Sequence, residues 1–317
     1  ALSLVKNREK HWQSFKNSLK LSKSKDEVDK IIACLEFPAN PIIEKLNMLL
    51  YFRGKSPEKI RNRLAEYLKG ENKQYSRLYQ KNAFNLLFQL YSDYPPAGKK
   101  YTGIDVFINL SSGIIRFAIE ICNQALNNAY NYGYEPNKEN PVGVLHQDFG
   151  AKYHAKLQYN DVLRIPGNLG LPVQEFINQI GTIFRALHMD QYLVEPEPTH
   201  FETNYSEISG KAKKVFDAAI KYSCLQVKPP MDPKSYIETK KTDFLTNRVF
   251  APHFEISYRL RGRTPISASQ INRLITGNPK EKRQTRGEIV RNKRVKRKRR
   301  DMGQKQLVES DWESGKK

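Results

Sequence analysis

The chain contains no run of about 18 apolar residues, so none of its 317 residues reads as a membrane-spanning helix. Its first residues, ALSLVKNREKHW, turn charged at Lys6, too early for the apolar core of a secretory signal. Cysteine is scarce. Cys34, Cys122 and Cys224 lie far apart, which argues against a disulfide framework and suits reduced thiols. No C-x-x-C pair occurs and the six histidines are dispersed, so a structural zinc site is not expected. A G-x-x-x-x-G-K-[ST] loop is also missing: the nearest segment, Gly98-Lys-Lys-Tyr-Thr-Gly103, lacks the lysine and hydroxyl that would reach phosphate and magnesium. These absences predict a chain without membrane contact, cytoplasmic (or nuclear in a eukaryote), that holds no cofactor and hydrolyses no nucleotide by itself.

Acidic residues are in short supply too. Against 33 Asp and Glu stand 54 Lys and Arg, a net charge of +21. Lys280 to Arg300 alone carries +10, and the last seventeen residues carry −1, so +12 remains for residues 1–279. The imbalance therefore pervades the chain, and a polyanionic partner, nucleic acid, accounts for it better than solubility does, because Asp and Glu serve solubility better.

Hydrophobic residues make up 39% and aromatics 11%, enough for folded domains, and the apolar spacing is helical. Residues 1–36 read as a helical pair, broken at Phe37-Pro-Ala-Asn-Pro41. Helices then follow over Ile42–Phe52, from Ser56-Pro57-Glu58 (cap, proline and first-turn acid) to Leu68, and over Tyr75–Leu90. After the loop at Tyr94–Gly98 comes the most apolar stretch, Ile104–Ala129. The turn-rich Tyr130–Pro141 is read as the boundary between a helical domain over 37–140 and a second domain over 141–278. Within the second domain, Val173–His188 and Lys211–Leu225 are expected as helices, Phe254–Tyr258 as a strand by its alternation, and Ser267–Ile275 as a last helix. Residues 279–317 are expected to be a flexible basic tail, too poor in apolar residues to fold alone. The fold class predicted is mostly α, with a small β-hairpin in the second domain.

Ser111-Ser112-Gly113-Ile114-Ile115-Arg116 is the most informative segment. Either serine can cap a helix there, Gly113 relieves crowding at its start, and Arg116 is the only charge between Asp105 and Glu120. An arginine flanked by Ile114, Ile115, Phe117 and Ile119 is expected to meet a phosphate or a neighbouring acid, because its desolvation is otherwise unfavourable. The segment resembles the second sensor motif of AAA+ ATPases of the origin-recognition type, and the bacterial members of that group in particular. The phrase Asn247–Arg259 strengthens the likeness, which extends over residues 40–275. The resemblance implies a helical lid followed by a winged-helix domain, with Arg116, Gly113 and Ser112 sensing the terminal phosphate of a bound nucleotide. It also implies an ATPase core upstream, which alone would supply ATP and magnesium. Residue 1 being Ala rather than Met fits a partial chain.

Two further constellations point to nucleic acid. Arg259, Arg261 and Arg263 alternate around Gly262, as in an arginine-tipped hairpin that touches phosphate or enters a minor groove; a solvated turn or a protein contact is the plainer reading. Arg248 precedes them. Arg291, Lys293, Arg294, Lys296, Arg297, Lys298, Arg299 and Arg300 form an electrostatic arm without base-reading logic, able to hold duplex DNA or RNA, or to serve as an import signal. No Cys, His or acid constellation supports an enzyme. The sequence therefore supports a DNA-associated part of an origin-recognition-like ATPase, self-assembling or protein-bound. A non-catalytic adaptor joining a protein partner to RNA is the alternative.

Overall fold

A computed structural model describes residues 12–13, 15–20, 23–93, 100–135, 140–190, 197–228 and 241–293. They divide into two compact units: 12–93 with 188–190, and 100–187 with 197–293.

The first unit is built from helices whose starts are written in their caps. Helix α1 (Lys25–Leu35) begins with a capping box between Ser24 and Glu27. Helix α2 (Pro41–Phe52) begins where the Asn40 side chain accepts the amides of Ile42 and Ile43. Helix α3 (Pro57–Leu68) has Ser56 as cap and proline at its first position, and α4 covers Lys73–Asp93. Their apolar faces close on Phe15, Leu35, Leu46, Leu49, Ile60 and Leu86, all nearly inaccessible. Two buried polar groups in this core are satisfied. Asn47 donates to the Leu35 carbonyl at 2.8 Å and accepts from the Tyr75 hydroxyl at 2.6 Å, while Glu44 accepts the Phe37 amide at 2.9 Å.

The second unit opens with α5 (Ile104–Leu110), α6 (Ile115–Asn131), α7 (Val144–Asp161) and α8 (Gly170–His188). Helices α6 and α7 pack closely: a Cβ on Gly150 would stand 2.5 Å from the backbone nitrogen of Ala125. The sequence suggests a domain boundary at 130–141; the helices on either side of it, α6 and α7, pack on each other, and the compact units divide near residue 99.

After α8 come β1 (His200–Thr203), α9 (Gly210–Lys221), β2 (Leu225–Val227), β3 (Thr242–Thr246), a one-turn α10 (Ala251–Phe254), β4 (Arg263–Pro265) and α11 (Ala268–Thr276). The sheet runs in the order β2-β3-β1-β4, antiparallel except for the β1–β4 pair, with His200 opposite Leu245 and Arg263. Its inner face meets α8 and α9 through Phe176, Phe201, Phe216 and Phe244. The Phe201 and Phe244 rings stack 5.7 Å apart, and Phe216 meets Phe244 edge-on at 4.9 Å. The predominantly helical class with a small sheet is as expected.

Two expectations are corrected. Phe254–Tyr258 is not a strand: Phe254 ends α10, Glu255 is left-handed at φ 53°, and Ile256 is buried in an irregular segment. The alternation there reflects burial in a loop. Gly262 consequently does not tip a hairpin, because β4 pairs parallel to β1 and parallel strands cannot be joined by a tight turn. The antiparallel hairpin is β2–β3 instead. Second, the segment expected to be flexible begins as a helix, α12, over 279–293. It does not fold alone: Thr285 and Ile289 are buried, Lys282 pairs with Glu175 at 2.8 Å, and Arg273 pairs with Glu288 at 3.0 Å.

Candidate nucleotide-sensing turn and nucleic-acid interface

Between α5 and α6 the chain reverses in four residues. Ser111 caps the end of α5, its hydroxyl donating to the Ile108 carbonyl at 2.7 Å. Ser112 and Gly113 then take positive φ, 53° and 85°, a pair of left-handed steps that Gly113 adopts without strain. Neither serine caps α6, contrary to the sequence reading. Ile114 occupies the N-cap position, no side chain accepts from the first turn, and no acid lies within it. Among the described residues no capping side chain or first-turn acid compensates the positive end of the α6 dipole.

Arg116 sits in that first turn. Its apolar neighbours do not desolvate it: Ile115 and Ile119 stand 77% and 64% open, while α6 buries Ile121, Ala125 and Ala129. The guanidinium is exposed and its Nε donates to Glu120 Oε1 at 2.6 Å, one turn along, which raises the arginine's already high pKa. Glu120 also lies 3.5 Å from Nδ1 of buried His154. Burial holds His154 below its ordinary pKa, opposed by the Glu120 charge. A solvated pair one helical turn apart is weak, so the guanidinium is available to a stronger anion. Phe117 next to it lines a cleft of about 260 Å³ with Asp161, Arg164, Tyr222 and Asn247; Arg116 does not line it.

Arg248 arrives at the same turn from far along the chain. Its amide donates to Ser112 Oγ at 3.0 Å and its Nη1 to Asn109 Oδ1 at 3.3 Å. Desolvation lowers its pKa, and its buried Nε has no partner among the described residues. The structure thus brings Arg248, expected as a nucleic-acid contact, to Ser112 and Asn109.

Arg259, Arg261 and Arg263 face acids of the same unit. Arg259 lies 3.7 Å from Glu197, a carboxyl whose pKa is raised by burial against the pull of Arg259 and Arg261. Arg263 pairs with Glu202 at 2.7 Å and lies 3.8 Å from Asp243. Arg261 is exposed, its backbone is held to the Thr199 hydroxyl, and its charge acts on Glu197 from beyond ion-pair distance. Lys293 donates from Nζ to the Arg263 carbonyl, and Arg291 is exposed on α12. Arg294, Lys296, Arg297, Lys298, Arg299 and Arg300 lie outside the described residues.

A basic face the sequence reading missed lies on α9, where Lys211, Lys214 and Lys221 are exposed without carboxylate partners among the described residues. Their spacing of three and seven puts them within roughly 80° of one another around the helix. The signal was present in the sequence, but the arginine-rich segments outweighed it. Among the described residues no cluster of three His, Cys, Asp or Glu could hold a metal, and no helix is long and apolar enough to cross a membrane. Burial pushes the Cys224 thiol up to about 12, so it is no nucleophile.

A family model described as ORC-CDC6-like matches residues 2–266. No curated protein and no solved structure matches the chain.

Proposed function

The chain belongs to the ORC-CDC6-like family, and from that membership we propose that it forms the nucleotide-sensing lid and the DNA-binding winged-helix part of an AAA+ ATPase. The observation that carries the reading is the first turn of α6: an exposed arginine beside a helix start that no side chain caps, one residue pair after left-handed Ser112 and Gly113. Free amides and a guanidinium at a helix N-terminus suit a phosphate. ATP would supply that phosphate, held by a phosphate loop that these 317 residues do not contain. Arg116 would then exchange Glu120 for the nucleotide.

The DNA-binding half rests on connectivity and charge. Helix, strand, helix and antiparallel hairpin follow one another as α8, β1, α9, β2 and β3, with β1 pairing to the far strand of the hairpin. This order would suit a winged-helix module, in which α9, with Lys211, Lys214 and Lys221, would take the place of the groove-facing helix. Arg248 would tie this module to the sensing turn, so that nucleotide state and DNA contact are coupled.

The test uses the protein as its gene encodes it. Arg116→Ala should abolish the preference for ATP over ADP in equilibrium binding while leaving ADP affinity within about twofold. An unchanged preference would overturn the sensing role. A second reading, a non-catalytic adaptor for a protein and RNA, is favoured by the exposed row Leu145, Phe149 and Tyr153 along α7, whose last two rings stack at 5.6 Å.

A further inference from the structure

Helix α12 lies beyond residue 266, where the family match ends. One face is fixed to the rest of the unit: Thr285 and Ile289 are buried, Lys282 reaches Glu175 on α8, Arg286 donates to Gln179 at 2.9 Å, and Glu288 holds Arg273 of α11. The opposite face reads Lys280, Arg283, Gly287 and Arg291, all exposed. At 100° per residue these four fall in a sector of about 80°. Most other cations near them have work inside the protein. These three meet no carboxylate among the described residues.

Gly287 has no structural reason to be glycine. A Cβ there would meet no atom within 4 Å, and its φ is not in the left-handed region. Glycine weakens a helix interior, and its remaining use is to let something approach the backbone closely. Arg283 and Arg291 stand one turn to either side of it, about 12 Å apart along the axis, comparable with the roughly 12 Å width of the DNA major groove. A rigid, docked helix presents this pattern at fixed spacing, which a solvated arm would not.

We propose that α12 lays its Lys280, Arg283, Gly287 and Arg291 face on the sugar-phosphate backbone of duplex DNA, with Gly287 admitting the strand to contact and the arginines taking phosphates on either side. The contact positions the protein without reading bases. It rests on the DNA-binding reading above and adds a second element to it, outside the winged-helix module.

The experiment titrates a fluorescent duplex with the full chain across a range of salt. Arg283→Ala with Arg291→Ala should weaken binding on the order of tenfold at moderate salt and lower the log–log salt slope by about 1.8, at about 0.9 per phosphate. Gly287→Leu, a helix-favouring change, should leave the thermal midpoint intact or higher and still weaken binding about fivefold. If the wild-type chain binds duplex and both variants bind it equally well with the same slope, α12 is not a DNA contact, and the winged-helix reading stands. If the wild-type chain binds no duplex, the DNA-binding reading itself falls. Equal affinity for duplex RNA, with equal sensitivity to both variants, would overturn the assignment to DNA.

Discussion

Ser112 Oγ accepts the backbone N–H of Arg248 at 3.0 Å across 136 positions of sequence, and Asn109 accepts from the same arginine's guanidinium at 3.3 Å. The turn that precedes α6 is therefore strapped to the segment that follows β3. The link is short, directional and partly shielded from water, and it joins the two ends of the proposed coupling.

Removing the strap should be measurable without any ligand. Ser112→Ala leaves the Arg248 amide without its acceptor, an effect of about 1 kcal/mol. Thermal unfolding should show the midpoint falling by roughly 2–4 °C. Ser112→Ala combined with Asn109→Ala should be less than additive, because both act on one residue. Arg248→Ala should leave the salt slope of duplex binding unchanged; a lower slope would place Arg248 on the nucleic acid after all.

The lysines of α9 make the opposite prediction. Lys211→Ala, Lys214→Ala and Lys221→Ala together should lower the salt slope by about 2.7, at about 0.9 per phosphate lost. All three are exposed and no carboxylate holds them, so stability should be unchanged. A duplex titration at several salt concentrations, alongside a melting curve, checks both halves.

Where the sequence spoke through local chemistry, it was legible. Ser56-Pro57 marks the start of α3, Asn40-Pro41 that of α2, and Ser267 that of α11, because a cap acts on amides two or three residues away. The turn before α6 was marked locally too, since Gly113 adopts its positive φ without strain. What failed was anything settled by distant partners. The alternation of Phe254, Ile256 and Tyr258 came from a loop pressed into the core, and β4 is a strand only because β1 lies beside it. The isoleucines around Arg116 suggest an arginine in need of a phosphate or an acid, and Glu120 is such an acid, yet which isoleucines of α6 face inward is decided by α7. Helix α12 has one buried apolar residue, Ile289, and is ordered by ion pairs to α8 and α11 that no local window contains.

Acid should destabilise the chain. His154, His200 and His253 are each held below the ordinary value of 6.5 chiefly by desolvation, so the folded state prefers them neutral. As pH falls past 6.5 the unfolded chain takes up protons first. Their contribution is thus fully present above that value and lost as pH falls through the lower folded values. Melting curves between pH 8 and 5 should show the midpoint dropping below about pH 6.5. His154→Leu, which removes one buried imidazole with an unpartnered Nε2, should flatten the drop. A profile identical to wild type would mean that His154 titrates normally in the fold.

Deleting residues 294–317 separates the two functional readings without disturbing α12. Under the winged-helix reading duplex affinity falls but survives, because Lys211, Lys214, Lys221 and the α12 arginines remain. Under the adaptor reading the tail is the whole nucleic-acid site and binding disappears. The cut belongs after residue 293, because removing α12 as well would uncover Thr285 and Ile289 contacts and release the Arg263 carbonyl from Lys293.

Gly150 is a test of the packing that sets α6 in place. A methyl group there would stand 2.5, 2.8 and 2.9 Å from the N, Cα and Cβ of Ala125, and two of those atoms are backbone that no rotamer change can move aside. Gly150→Ala improves helix propensity in α7 by up to about 1 kcal/mol, but the overlap must push α6 and α7 apart, an overpacking penalty of roughly 1–3 kcal/mol. The second effect should win, and the midpoint should fall. Ala125→Gly on the same background relieves only the Cβ contact, so recovery should be partial; full recovery would show that the two helices are free to separate at this crossing.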